Sequence, residues 1–292
     1  MEFNPLPFRS TLSEYQKQAE QLLEAWRAGN AAAIQIFKTK HPRFLNEHIP
    51  WLPKRLSDSE IRSAALDVVD AQLAVARWYN FRDWPALSEY VAAVTEESSP
   101  VCQFETAVEA VINGDATTLN ALLLANPELV RARSTRVTNF DPPVHRATLL
   151  HYVAANGVED YREKTPKNAV EVAVILLRGG AEVDALADMY GGQCTAMSML
   201  VSSTPPAEAG VQIALIETFL DFGAAIEGRG SGQWVSPLMT ALVFGFSSAA
   251  ETLVQRGARV DGIAAAAGLG RLADADRLLT SATSEDRHHA LA

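Results

Sequence analysis

Three stretches of this chain close in the same way: LLRGGAEVD (176–184), FLDFGAAIE (219–227) and LVQRGARVD (253–261). In each, apolar residues at helical spacing run up to a glycine, and a short tail then ends on an acid. A recurring unit constrains the fold more than any single motif. A unit this small cannot bury its apolar face alone and must stack on copies of itself. The copy at 236–261 displays the whole unit. Ser236 caps a first helix and Pro237 takes its first position, where the missing N–H is no loss. Gly245 marks the turn, AAETLVQR forms a second helix, and Gly257 ends it at an expected positive φ.

Further copies extend the array. One begins at TLLHYVA (148–154) and one at QCTAMSMLVSS (193–203), while IAAAAGLGRLADADRLL (263–279) reads as a last unit without its tail. AVEAVINGDATTLNALLLANPELV (107–130) is another two-helix unit, and AWRAGNAAAIQIFKTKHPRFL (25–45) repeats its pattern. Gly29 and Gly114 sit at the helix turn, and Pro42 and Pro127 each follow 13 residues later. Between these, residues 58–94 carry apolar residues at helical spacing. Ser57 or Asp58 is the expected cap of one helix, and a new one starts after Asp83. EESSP (96–100) is the most linker-like stretch. The expected division is therefore a helical N-terminal region at 1–100, acting as a cap, and a repeat domain at 101–292.

TLLHYVA resembles the TPLHxA signature of ankyrin repeats, and the three closing stretches resemble that family's LLxxGAxVN. The chain is identified on these residues as an ankyrin-repeat protein, over about 104–280 and more faintly over 19–47. HRATLLHYVAANGVEDYREKTPKNAVEVA and DMYGGQCTAMSMLVSSTPPAEAGVQIALIETFL are similar to a bacterial subgroup with long inter-helix inserts. The resemblance implies an all-α solenoid of about five units and a role in protein binding through fingers and inner helices. It also implies a structural His151, bonded to backbone and to a threonine hydroxyl. Thr148 is followed by leucine, not proline, and Ser236 with Met239 lacks the Thr–His pair.

The copies differ in length. Ser236 to Gly257 spans 21 positions, Thr195 to Gly223 spans 28, and Thr148 to Gly180 spans 32. The excess lies between the two helices of a unit. In the copy beginning at Thr148 it falls within GVEDYREKTPKN (157–168), where Thr165 is the expected cap of a displaced second helix. A further insertion, RARSTRVTNFDPPVHRA (131–147), lengthens one finger. Long loops on a rigid scaffold are where binding groups are placed.

Composition narrows the function. Twenty-five basic against 35 acidic residues give a net charge of −10, which argues against nucleic acid or an anionic membrane as partner. Two cysteines without metal-ligand spacing read as free thiols, and the expected compartment is the cytoplasm. Neither cofactor nor metal is implied; His288 and His289 read as part of a disordered end. The glycine-rich tips YGGQ and GRGSGQW match no phosphate-binding pattern. Cys194 reads as a buried small residue and not a nucleophile.

The long finger concentrates Arg131, Arg133, Arg136 and Arg146 beside Asp141 and His145. Arginine forks suit carboxylates, so the expected partner is a protein, or an acidic segment of one. Tyr152, Met199 and Thr240 occupy one variable position in successive first helices, and Tyr190 and Trp234 are the aromatic contact residues. The binding set is Arg133, Arg136, His145, Arg146, Tyr152, Tyr190 and Trp234. The alternative is a small-ligand protein or enzyme with a pocket between the 131–147 finger and the concave face, using Asp141 and His145 as an acid–base pair. A third reading has the finger fold back onto its own chain, and the insert serve as a brace between units.

Overall fold

The structure is a computed structural model that describes residues 3–49, 51–155, 159–280 and 283. His288, His289 and Gly157–Val158 of the insert lie outside the described residues. The fold is all-α; the described strands are one short hairpin. No helix among the described residues is long and apolar enough to cross a membrane. The chain divides into two compact units. One comprises Met1–Thr106 with Ser134–His145 and Val158–Tyr161; the other comprises Ala107–Arg133, Arg146–Gly157 and Arg162–Ala292. The division differs from a cut at residue 100, because part of the long finger and part of the insert join the N-terminal unit.

The N-terminal unit has its own core, built on Tyr15, Leu22, Phe37, Ile61, Val75 and Leu87. Asn30 caps the helix Ala31–Lys40 by accepting from the Ala33 N–H. The single helix expected from Ser57 is two. Ser57 caps only Asp58–Arg62, and Asp67 then accepts from Val69 and Asp70 to start Val68–Trp78. A carboxylate that satisfies two backbone donors starts a helix more firmly than apolar spacing continues one. Asp83 caps Trp84–Thr95, with Pro85 in its first turn.

Tyr79 ties the core to the N-terminal strap. Its hydroxyl accepts from the Leu6 N–H at 2.8 Å and donates to Gln18 Oε1 at 3.0 Å. Burial pushes the phenol up to about 12 from its usual 10.0. A raised folded-state value means that this stability is complete below pH about 10 and is lost as pH rises toward about 12. The loss amounts to up to about 3 kcal/mol. Chemical unfolding at stepped alkaline pH should show this slope, and the slope should be smaller in Tyr79→Phe; an identical slope in the variant refutes the assignment.

In the second unit the two-helix copies pack in two rows. Ala116–Ala125, Ala169–Arg178, Gln212–Asp221 and Ser247–Gln255 each touch the next, as do Leu149–Val153, Ala196–Leu200, Pro237–Val243 and Ile263–Gly268. Many of their apolar residues are fully buried, among them Leu150, Val172, Leu176, Ile216, Phe219 and Leu253. The three closing glycines, Gly180, Gly223 and Gly257, have φ of +98°, +88° and +108°. The acids after them have a purpose: Asp184 accepts from the Ala225 N–H, and Glu227 from the Arg259 N–H. Each acid thus captures the backbone two residues past the next copy's glycine, which sets the stacking register. The element order of the N-terminal pattern also recurs: helix, turn glycine, helix, then a 3₁₀ turn begun by Pro42 or Pro127.

Candidate functional site

The long finger is largely internal. Thr138 bridges Phe81, and the Thr138 N–H donates to the Pro143 carbonyl, so 134–145 folds against the N-terminal helices. Arg136, whose side chain is 1% exposed, lies between Phe81 and Tyr90, with its guanidinium carbon 4.3 and 4.8 Å from the ring centres. It donates to Glu159 Oε2 at 3.2 Å, Tyr161 Oη at 2.9 Å and the Tyr79 carbonyl at 2.9 Å. Glu105 stands 3.9 Å away and accepts from the Tyr90 hydroxyl.

This placement corrects the expectation that Arg136 meets a partner, because a guanidinium enclosed by two rings and two carboxylates offers none of its donors to solvent. His145 is buried too, and its Nε2 meets Glu159 Oε1 at 3.0 Å. Its acidic neighbour is therefore not Asp141, which is exposed. The proposed acid–base pair is not assembled. Arg133 donates to the backbone carbonyls of Arg146 and Leu186, holding two segments of the repeat unit together. Arg146 is exposed, with φ +57°.

The insert is divided among three tasks. Glu159 and Tyr161 complete the buried arginine cluster. Arg162 pairs with Glu109 at 3.2 Å, and Asn168 donates to the Gly114 carbonyl at 2.9 Å, bracing the 107–130 copy. A Cβ on Gly114 would lie 2.2 Å from Asn168 Oδ1, so this close approach requires glycine. Glu163 faces a pocket. Thr165 does not cap the displaced helix; Ala169–Arg178 begins after Asn168, and Thr165 Oγ1 is buried without a hydrogen-bond partner. Pro166 instead supplies a carbonyl to Ala169 N–H in a preceding turn.

That pocket, within the repeat unit, has a volume of about 260 Å³. The short helix Ala196–Leu200 contributes Ser198 and Met199 to its lining. Tyr190, Trp234 and Phe244 supply aromatic walls, and Glu163, Ser202 and Thr204 supply polar groups. Trp234 leans on Phe244, with ring centres 5.1 Å apart. Finger residues and inter-helix residues line the same cavity. The insert thus contributes to the cavity through Glu163. Glu163, one of three acids in a polar insert, carried no signal of this. Phe244 had one: a large apolar residue beside the turn glycine Gly245, with 48% of its surface exposed.

Tyr190 reaches the pocket by an unusual backbone. Ala187–Met189 and Gly192–Cys194 pair antiparallel, leaving Tyr190–Gly191 as the two-residue turn. Both turn residues have positive φ, +54° and +75°, the geometry that follows the twist of a hairpin and favours asparagine or glycine. A tyrosine there is strained. Of the other variable positions, Thr240 is buried and Tyr152 half-buried, and neither lines the pocket.

The remaining candidates are structural. His151 Nδ1 accepts from the Thr148 N–H, so the ring proton lies on Nε2, which donates to the Cys194 carbonyl. Cys194 borders the pocket, but burial pushes its thiol up to about 11, which suppresses the nucleophilic thiolate. The GRGSGQW tip packs on the hairpin through mutual Gln193–Ser231 backbone bonds. No group of three His, Cys, Asp or Glu side chains among the described residues is placed to hold a metal. No family model matches the chain, and no curated protein matches it.

Proposed function

We propose that this chain is an ankyrin-type solenoid that binds a protein partner, and that the pocket over Ala196–Leu200 receives one of the partner's side chains. The observation that carries the reading is Tyr190. A left-handed tyrosine costs the hairpin about 1 kcal/mol, yet it stands beside Trp234 and Phe244 in the pocket wall. Strain of this kind persists where a side chain is needed for its contacts. The two rows of stacked helices and the acid-to-backbone links between copies support the solenoid. A cavity of about 260 Å³ lies below the usual small-ligand range of roughly 300–1,000 Å³. It suits one anchoring side chain better than a whole metabolite. Arg136 is buried and Arg133 is held by backbone carbonyls, so an acidic partner segment loses two of the four finger arginines, and no residue of 131–147 lines the cavity.

Tyr190→Asn tests the reading, because Asn-Gly is the preferred turn. The variant should be more stable by about 1 kcal/mol while capture of a host partner falls sharply. Capture undiminished in Tyr190→Asn and in Phe244→Ala would sink the proposal.

A further inference from the structure

Helix Ala31–Lys40 of the N-terminal unit ends on His41, a buried ring whose centre lies 6.3 Å from that of Phe37 and 5.7 Å from that of Phe44. Its Nδ1 accepts from the Arg43 N–H at 3.2 Å, which caps the turn Pro42–Phe44. An imidazole that accepts at Nδ1 carries its proton on Nε2, and Nε2 donates to Asp70 Oδ1 at 3.1 Å. The other oxygen of Asp70 accepts from the Asp67 N–H at 2.9 Å, inside the capping box that starts Val68–Trp78. One neutral ring thus serves the starts of two elements. The turn leads into a closed loop. The Lys54 N–H donates to the Phe44 carbonyl at 2.7 Å and the Asn46 N–H to the Leu52 carbonyl at 2.8 Å, with Trp51 and Leu52 exposed at the tip. Asp70 and Arg77 act on His41 from Val68–Trp78, and Arg43 acts from the turn. On its own helix Lys38 is paired with Asp58 and Lys40 with Asp160. Burial holds the imidazole below its usual 6.5; Asp70 offsets part of this, and Arg43 and Arg77 add to it. A lowered folded-state value means that the stability lent by the neutral ring is complete above pH about 6.5 and is lost as pH falls through the lower folded value.

We infer that His41 is a one-sided acid latch: neutral, it fastens the turn Pro42–Phe44 and the loop that follows, and protonated, it releases them while Val68–Trp78 stays capped. The asymmetry follows from the two ring nitrogens. A second proton goes to Nδ1, where it turns the acceptor of the Arg43 N–H into another donor. Two donors then face each other, and the hydrogen bond is lost outright. At Nε2 the donor is unchanged and gains charge, so its bond to Asp70 is kept and strengthened. Acid undoes one end of the relay and tightens the other. Nothing in this relay involves the pocket of the repeat unit.

The test is a pH titration of the isotopically labelled full chain by NMR. Ring nitrogen shifts should show His41 as the Nε2–H tautomer above pH about 6.5, titrating at a lower pH than an ordinary histidine. Along the same curve the exchange protection of the Arg43 amide should fall about tenfold. The amides of Asn46 and Lys54 should follow it, while those of Val69 and Asp70 keep their protection. His41→Asn places an amide oxygen near the position of Nδ1 that takes no proton in this range, and it should keep Arg43 protected in acid. An Nδ1–H tautomer overturns the inference. So does protection at Arg43, Asn46 or Lys54 that ignores the His41 titration, or simultaneous loss at Val69 and Asp70. A His41→Asn chain whose Arg43 amide opens in acid as the wild type's does overturns it too. If that variant does not fold, the wild-type titration decides alone.

Discussion

Replacing Arg136 with alanine should lower the stability of the N-terminal unit by about 3–5 kcal/mol, the range for removing one partner of a buried ion pair. The reason lies in what remains. Glu159 and Glu105 are buried, at 4% and 1% exposure, and without the guanidinium two carboxylates share a buried site. Arg136→Met should not rescue, since it restores volume over Phe81 and Tyr90 but not the positive charge between the two acids. Arg133→Ala serves as the contrast. It removes hydrogen bonds to two backbone carbonyls at a half-exposed position and should cost about 1–2 kcal/mol. Denaturant unfolding of the three variants decides the matter. A loss below about 1 kcal/mol for Arg136→Ala would mean that the cluster is not closed as described.

A second large effect separates two kinds of glycine. Gly230 and Gly257 have nearly the same φ, +109° and +108°. A Cβ on Gly257 meets nothing within 4 Å, whereas on Gly230 it would lie 2.0 Å from the Gln193 carbonyl oxygen. Gly257→Ala therefore carries backbone strain alone, about 1–3 kcal/mol. Gly230→Ala carries the same strain plus a collision with backbone that cannot swing aside, a further 1–3 kcal/mol or so. The melting temperature of Gly230→Ala should be clearly the lower. Equal losses would show that the GRGSGQW tip does not rest on the hairpin.

These two cases mark how far the residues could be read in advance. Gly257 was legible because helix termination is local: the chain needs a left-handed residue after the last turn, whatever packs around it. The same holds for Ser236, Asp83 and His151, whose partners lie within three residues or at a fixed repeat position. Gly230 was legible only as a flexible tip, since the atom that excludes a side chain belongs to Gln193, in another copy. Arg136 was misread for the same reason. Four arginines in a long loop resemble a charged surface until Glu159, 23 residues beyond Arg136 in an unrelated insert, is brought against that arginine. Thr165 failed as a cap because the displaced helix starts where Asn168 anchors to Gly114, a contact that the local pattern does not contain.

From the sequence alone came the two-helix unit, its copies, the closing glycines and the lengths of the inserts. All of these follow from periodicity and backbone conformation, which act over a few residues. The tertiary structure decided which loop turns inward and which opens a cavity. Those outcomes depend on charge neutralisation and close approach between segments far apart in the chain. So the finger richest in charge became an internal strut, and Glu163, an unremarked acid in an insert, came to face the aromatic pocket.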